Sequence, residues 1–186
     1  MKILGIGSSI RTGSYSEQVL HAGLEMARDL GADATAFDFR ANALPLYNGD
    51  EEAVALPESV KALKKAISEA DAVVICVAEY NASLTPLLKN AIDWASRGTH
   101  GSTNVWDRKP VALLSSSPGP LGGIRALISI RPIMQNVMAH VIADQAAVGS
   151  AHEAFNEDGS LKDARTAGFM KSTIENLIQT TKKLKG

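Results

Sequence analysis

Apolar and polar positions alternate along this chain on two different periods, and the two take turns. Ile3, Leu4 and Ile6 form a short apolar run bounded by Gly5 and Gly7, as a strand buried on both faces of a parallel sheet does. From Ser14 to Leu30 the pattern changes: Val19, Leu20, Leu24, Ala27 and Leu30 recur at helical spacing, with Ser14 or Ser16 as cap and Gly31 just past the end. Residues 34–39 read as a second strand. Residues 41–57, rich in Asn and Pro, read as a long irregular connection, followed by a helix over 58–69. Val73 to Val77 is a third strand, and Thr85-Pro86 opens a helix that places Leu87, Leu88, Ala91, Ile92 and Ala95 on one face. The polar stretch 98–107 is a loop. A strand over 111–114, a helix over 123–138, a strand over 140–148 and a helix over 163–184 complete the chain. Pro132 is expected to disturb the fourth helix.

Strands alternating with helices predict an α/β fold, a parallel sheet with helices on both faces. Five strands and five helices in this rhythm suit the flavodoxin-like three-layer sandwich with strand order 2-1-3-4-5. Its ligand crevice lies at the carboxyl ends of strands 1 and 3. With 186 residues, one domain spanning 1–186 is expected.

Three loops fall at that end of the sheet. After strand 1, Ser8, Ser9, Arg11, Thr12, Ser14 and Ser16 supply hydroxyls and one guanidinium around Gly13, where the next helix presents unpaired N–H groups. A phosphate monoester dianion suits that chemistry. Gly5 and Gly7 begin a dinucleotide fingerprint, with Asp38 as its ribose acid, but Ile10 stands where the third glycine belongs. No Gly-Lys-Ser/Thr follows the strand, so a Walker loop is disfavoured. A serine-rich loop that only caps a helix is the plain alternative. The loops after strands 3 and 4, from Ala78 and from Ser115, are also polar and turn-rich.

Composition narrows the classes. Hydrophobic residues make up 45% and charged residues 21%, as in an ordinary globular chain, and the net charge of −1 gives no electrostatic case for nucleic acid or an anionic membrane. It also weakens the case for a carrier that docks by charge. Cys76, the single cysteine, lies within an apolar strand and reads as a core thiol. The four histidines are scattered, so no metal site is expected, and no Ser–His–acid arrangement or G-x-S-x-G elbow stands out. No catalytic side chain is assigned. Lys2 leads directly into a strand rather than a signal-type apolar stretch, so a cytoplasmic protein is expected.

The segment from Ser8 to Ser14, the block Glu79-Tyr80-Asn81 followed by Leu88 to Arg97, and Ser117-Pro118-Gly119 with Gly122-Gly123 and Arg125 together resemble the NAD(P)H-dependent FMN reductase family. Its members include quinone, azo-dye and chromate reductases. The resemblance runs from Met1 to about Val148. It implies FMN as cofactor and NADPH or NADH as co-substrate, with hydride transfer to FMN and then to a quinone-like or other small oxidised acceptor in a ping-pong cycle. By the same resemblance, Ser9, Arg11, Ser14, Tyr15 and Ser16 hold the FMN phosphate, and Glu79, Tyr80, Asn81 and Ser83 lie along the isoalloxazine. Ser115, Ser117 and Gly119 then close on its other edge. Arg125 would bind the dinucleotide phosphates or pair across a subunit interface. A homodimer or homotetramer is implied. The family commonly has proline at Ala78 and asparagine at Ser16, and both departures loosen the expected grip on the flavin. A non-catalytic flavodoxin-type electron carrier or flavin-binding interaction protein is the alternative.

Overall fold

The computed structural model describes residues 1–186. Its elements are β1 (Lys2–Ile6), α1 (Tyr15–Asp29), β2 (Asp33–Ala36), α2 (Gly49–Val54), α3 (Glu58–Glu69), β3 (Ala72–Ala78), α4 (Pro86–Ser96), β4 (Pro110–Ser116), α5 (Ile124–Asn136), β5 (His140–Val148) and α6 (Ala164–Lys185). The five strands form one sheet of order β2-β1-β3-β4-β5, and every pairing is parallel.

The sheet is buried on both faces, which is why its strands read as unbroken apolar runs. Along β3, Val73, Ile75 and Val77 pack with Leu63, Ile67, Leu88, Ile92, Leu127 and Ile130 from α3, α4 and α5. Ala72, Val74 and Cys76 point the other way, onto Val19, Leu20, Leu24, Ile174 and Leu177 from α1 and α6. Burial pushes the Cys76 thiol well above its ordinary range, so it stays protonated and acts as a core residue.

Three sequence expectations change. The 41–57 connection contains the extra helix α2. It lacks apolar periodicity and is held by polar contacts: Asn48 caps it by accepting from the Asp50 N–H, and buried Glu52 accepts the Tyr47 and Thr99 hydroxyls at 2.7 Å each. The same connection is strapped to α4, where Asn90 and Trp94 both donate to the Pro45 carbonyl, at 2.8 and 2.9 Å. Strand β2 stops at Ala36, although Phe37 N–H still reaches the Gly5 carbonyl at 2.9 Å. Pro132 does not break α5. The carbonyl it leaves without a helical donor is that of Ile128, a solvent-facing residue, and water can satisfy it there.

Candidate functional site

Gly7 follows the first strand, and a Cβ there would lie 1.8 Å from Glu17 Oε1, so a larger residue would have to displace the Glu17 carboxylate. The buried Ser8 anchors the start of the loop. Its Oγ accepts the Ala78 N–H at 2.6 Å, and its carbonyl accepts the Thr85 hydroxyl at 2.7 Å. The loop after β1 is thereby fastened to the end of β3 and the cap of α4, whose first turn Thr85 also caps through the Leu88 N–H.

Past Ser8 the loop turns through Gly13, at φ +69°, into α1. Ser14 is the N-cap residue, yet no side chain caps the helix; its Oγ is engaged with Ser16 Oγ at 3.0 Å. The first-turn N–H groups are left open and carry the positive end of the helix dipole. Arg11 makes no ion pair. Its guanidinium folds back on the Gly13 carbonyl at 3.1 Å and over the Tyr15 ring.

After β3, Tyr80 and Ser83 exchange two backbone hydrogen bonds, of 2.9 and 3.0 Å, around Asn81 and Ala82 at φ 50° and 64°. This is a tight two-residue turn of the kind that needs positive φ at both central positions. It sends Asn81 to the exposed tip, while Ser83 Oγ donates to Ser129 Oγ on α5. Glu79 is almost enclosed, and its Oε1 accepts from Arg125 Nε at 2.7 Å. Arg125 thus pairs within its own chain. Glu79 Oε2 has no partner.

At the end of β4, strand alternation separates two serines. Ser115, on the α5 face, is fully buried and donates to the Gly122 carbonyl at 2.7 Å. Ser116, on the α1 face, carries a buried Oγ with no partner. Ser117 donates to the Gly119 carbonyl at 3.1 Å. The return of the loop is close: a Cβ on Gly149 would sit 2.3 Å from the Pro120 carbonyl oxygen.

These three segments enclose a cavity of about 380 Å³, within the range of cofactor sites. Of the residues expected at the site, Ser9, Arg11, Ser14, Tyr15, Ser16, Glu79, Tyr80 and Ser117 line it. Asn81, Ser83, Ser115 and Gly119 do not. Ala78, Ser116 and Pro118 join the lining without having been expected. The parity of β4 was a usable signal for Ser116, because Ala112, Leu114 and Ser116 share a face.

The donor set fits an elongated ligand with a phosphate at one end and a flat polar-rimmed body. The lining brings together open helical N–H groups, three serine hydroxyls and a guanidinium without an ion pair, along with an orphaned hydroxyl, Ser116, and apolar Ala78 and Pro118. Arg125 offsets the single acidic side chain of the lining, Glu79.

A family profile described as NADPH-dependent FMN reductase matches residues 1–153. An NAD(P)H-dependent FMN reductase of Pseudomonas aeruginosa is 32% identical, with all of this chain and 98% of that protein aligned. An NAD(P)H:quinone oxidoreductase of Solanum tuberosum is 35% identical over all of this chain and 95% of its own. Among solved structures, the flavoenzyme NAD(P)H:(acceptor) oxidoreductase FerB of Paracoccus denitrificans superposes with a TM-score of 0.86 at 32% identity, covering 98% of this chain and 97% of that one.

Proposed function

From the premise that the chain belongs to the NADPH-dependent FMN reductase family, we propose how its residues serve an FMN-dependent NAD(P)H oxidoreductase acting on quinone-like acceptors. The observation that carries the reading is the uncapped start of α1 beside an unpaired Arg11 in a cavity rich in hydroxyls. Ser9, Arg11, Ser14, Tyr15 and Ser16 hold the FMN phosphate through charge-assisted hydrogen bonds and helix N–H groups. Glu79, Tyr80, Ser116 and Ser117 border the ring, with Ser116 Oγ free to bond its polar rim.

When bound, FMN would supply the redox chemistry, hydride acceptance from NAD(P)H and electron donation to the acceptor. The chain's own work is to bind, orient and shield. The Arg125–Glu79 pair holds the loop before the Tyr80 turn, and Ser115 and Gly122 hold the loop on the opposite side. No side chain serves as a nucleophile. Nicotinamide and acceptor use the same open side of the cavity in turn, so the kinetics are ping-pong. The electron-carrier alternative is not favoured, since the relatives are named reductases.

Exposed Tyr80 and Leu121, on the turn and loop beside the cavity, support a second copy of the chain packing next to its mouth and leaving it open, hence a homodimer or a tetramer of such dimers. No helix is long and apolar enough to cross a membrane, and we place the enzyme in the cytoplasm.

The test is the visible spectrum of the purified protein, with the released cofactor identified after denaturation, before and after anaerobic NADPH or NADH. Yellow protein that yields FMN and bleaches with either nucleotide is the expected result. FMN that binds but is never bleached would overturn the enzyme reading; failure to bind FMN at all would overturn the site.

A further inference from the structure

The phosphate-side loop is fastened at its start by Ser8 and at its end by α1, but its middle has little of its own to hold it. Ile10 is more than half exposed, so its side chain offers no apolar anchor. What grips it is Arg40, thirty residues away, which donates both Nε and Nη2 to the Ile10 carbonyl at 3.1 and 2.9 Å. Arg40 is presented by a rigid turn. Asp38 Oδ1 accepts the N–H groups of Arg40 and Ala41 at 2.8 and 3.1 Å, Asn42 closes the turn onto the Asp38 carbonyl, and Phe39 plants it in the core.

A trans peptide points its C=O and N–H in opposite directions, and no peptide bond here is cis. By drawing the Ile10 carbonyl outward, Arg40 turns the Arg11 N–H inward, where it donates to cavity-lining Ser9 Oγ at 3.2 Å. We propose that Arg40 is a positioning residue for phosphate recognition: it sets the Ile10–Arg11 peptide plane so that the Arg11 amide holds Ser9 Oγ in the cavity lining, with the Ser9 hydroxyl proton left for the ligand's phosphate. This rests on the reading of the loop as the FMN phosphate seat. Asp38 then serves as the support of Arg40 rather than as a ribose ligand.

The test is titration of the flavin-free full-length protein with FMN and with riboflavin, which lacks the phosphate, followed by flavin fluorescence. Arg40→Ala is expected to weaken FMN binding by about three- to tenfold, the range of one ordinary hydrogen bond, and to leave riboflavin within about twofold. Arg40→Lys, which keeps the charge without the two-donor fork, falls between wild type and Arg40→Ala. Asp38→Ala, a second route that leaves Arg40 in place but unsupported, reproduces the FMN-selective loss; this variant decides the matter should Arg40→Ala not fold. Equal losses for both ligands, no loss at all, or a lysine variant that matches wild type would each overturn the proposal. A wild-type protein that binds riboflavin as tightly as FMN would instead overturn the phosphate seat itself.

Discussion

Thr85 donates its hydroxyl to the Ser8 carbonyl at 2.7 Å across 77 positions of sequence, joining the cap of α4 to the start of the loop after β1. Both residues are buried. Replacing Thr85 with valine keeps the shape and leaves the Ser8 carbonyl without its donor, at a cost of about 1–3 kcal/mol. Urea denaturation should show that loss, with Thr85→Ser close to wild type. A valine variant as stable as wild type would mean that water replaces the bond.

Arg11 has carbonyl partners and no carboxylate, so its charge is free for an anion. Arg11→Ala should weaken FMN by roughly ten- to a hundredfold, the worth of hydrogen bonds to a charged group, and spare riboflavin. Arg11→Lys should recover part of the loss. Equilibrium titration of the two flavins checks it, and a parallel loss of both would remove Arg11 from the phosphate end.

Ser116 gives effects of opposite sign. Its Oγ is buried without a partner, so Ser116→Ala should leave the flavin-free protein unchanged or more stable by up to about 1 kcal/mol, while FMN binding weakens roughly three- to tenfold. Denaturation curves with and without FMN separate the two. If stability without FMN falls as well, the hydroxyl has a partner in the protein or its water.

Gly149 has no room for a side chain because its Cβ would meet backbone, the Pro120 carbonyl oxygen at 2.3 Å. Gly149→Ala should destabilise by about 1–3 kcal/mol and displace the 117–123 loop, with FMN binding lost in step. Gly98→Ala is the control, since its nearest neighbour would be an ordinary contact at 3.7 Å. Thermal melts of the two variants make the comparison.

Glu17 introduces a pH dependence. Burial raises its carboxyl above the usual carboxylate range, partly offset by His21 and Arg40. A raised folded-state pKa means that the stabilising contribution is full below the unfolded value and is lost as pH rises through the folded one. Glu17→Gln should therefore gain stability relative to wild type as pH rises from the unfolded carboxylate value, about 4.3, through the raised folded one. Melting temperatures of the flavin-free proteins across that range provide the check; a constant difference would show that Glu17 titrates normally.

The fold was legible because its signals are local. A strand covered on both faces must be apolar at nearly every position, as Val73 to Val77 is, and a helix lying on such a sheet must repeat apolar residues as Val19, Leu20 and Leu24 do. Helix α2 was not legible, because Glu52 and Asn48 hold it through polar contacts rather than an apolar stripe. Pro132 misled for the converse reason: its local rule is sound, but the carbonyl it strands belongs to a residue facing water.

The sequence by itself determined the five strands and the five longer helices in their order, the doubly covered sheet, the family and the hydroxyl-rich loop, since each rests on residue types and spacings within short windows. Tertiary structure decided which polar groups are free to act. Ser115 is spent on the Gly122 carbonyl while Ser116 is left buried without a protein partner, Arg125 is paired with Glu79, and Arg40 is fixed on Ile10. Those outcomes depend on strand parity and on partners that only the folded chain brings within hydrogen-bond reach, and hydrogen bonds act over about 3 Å.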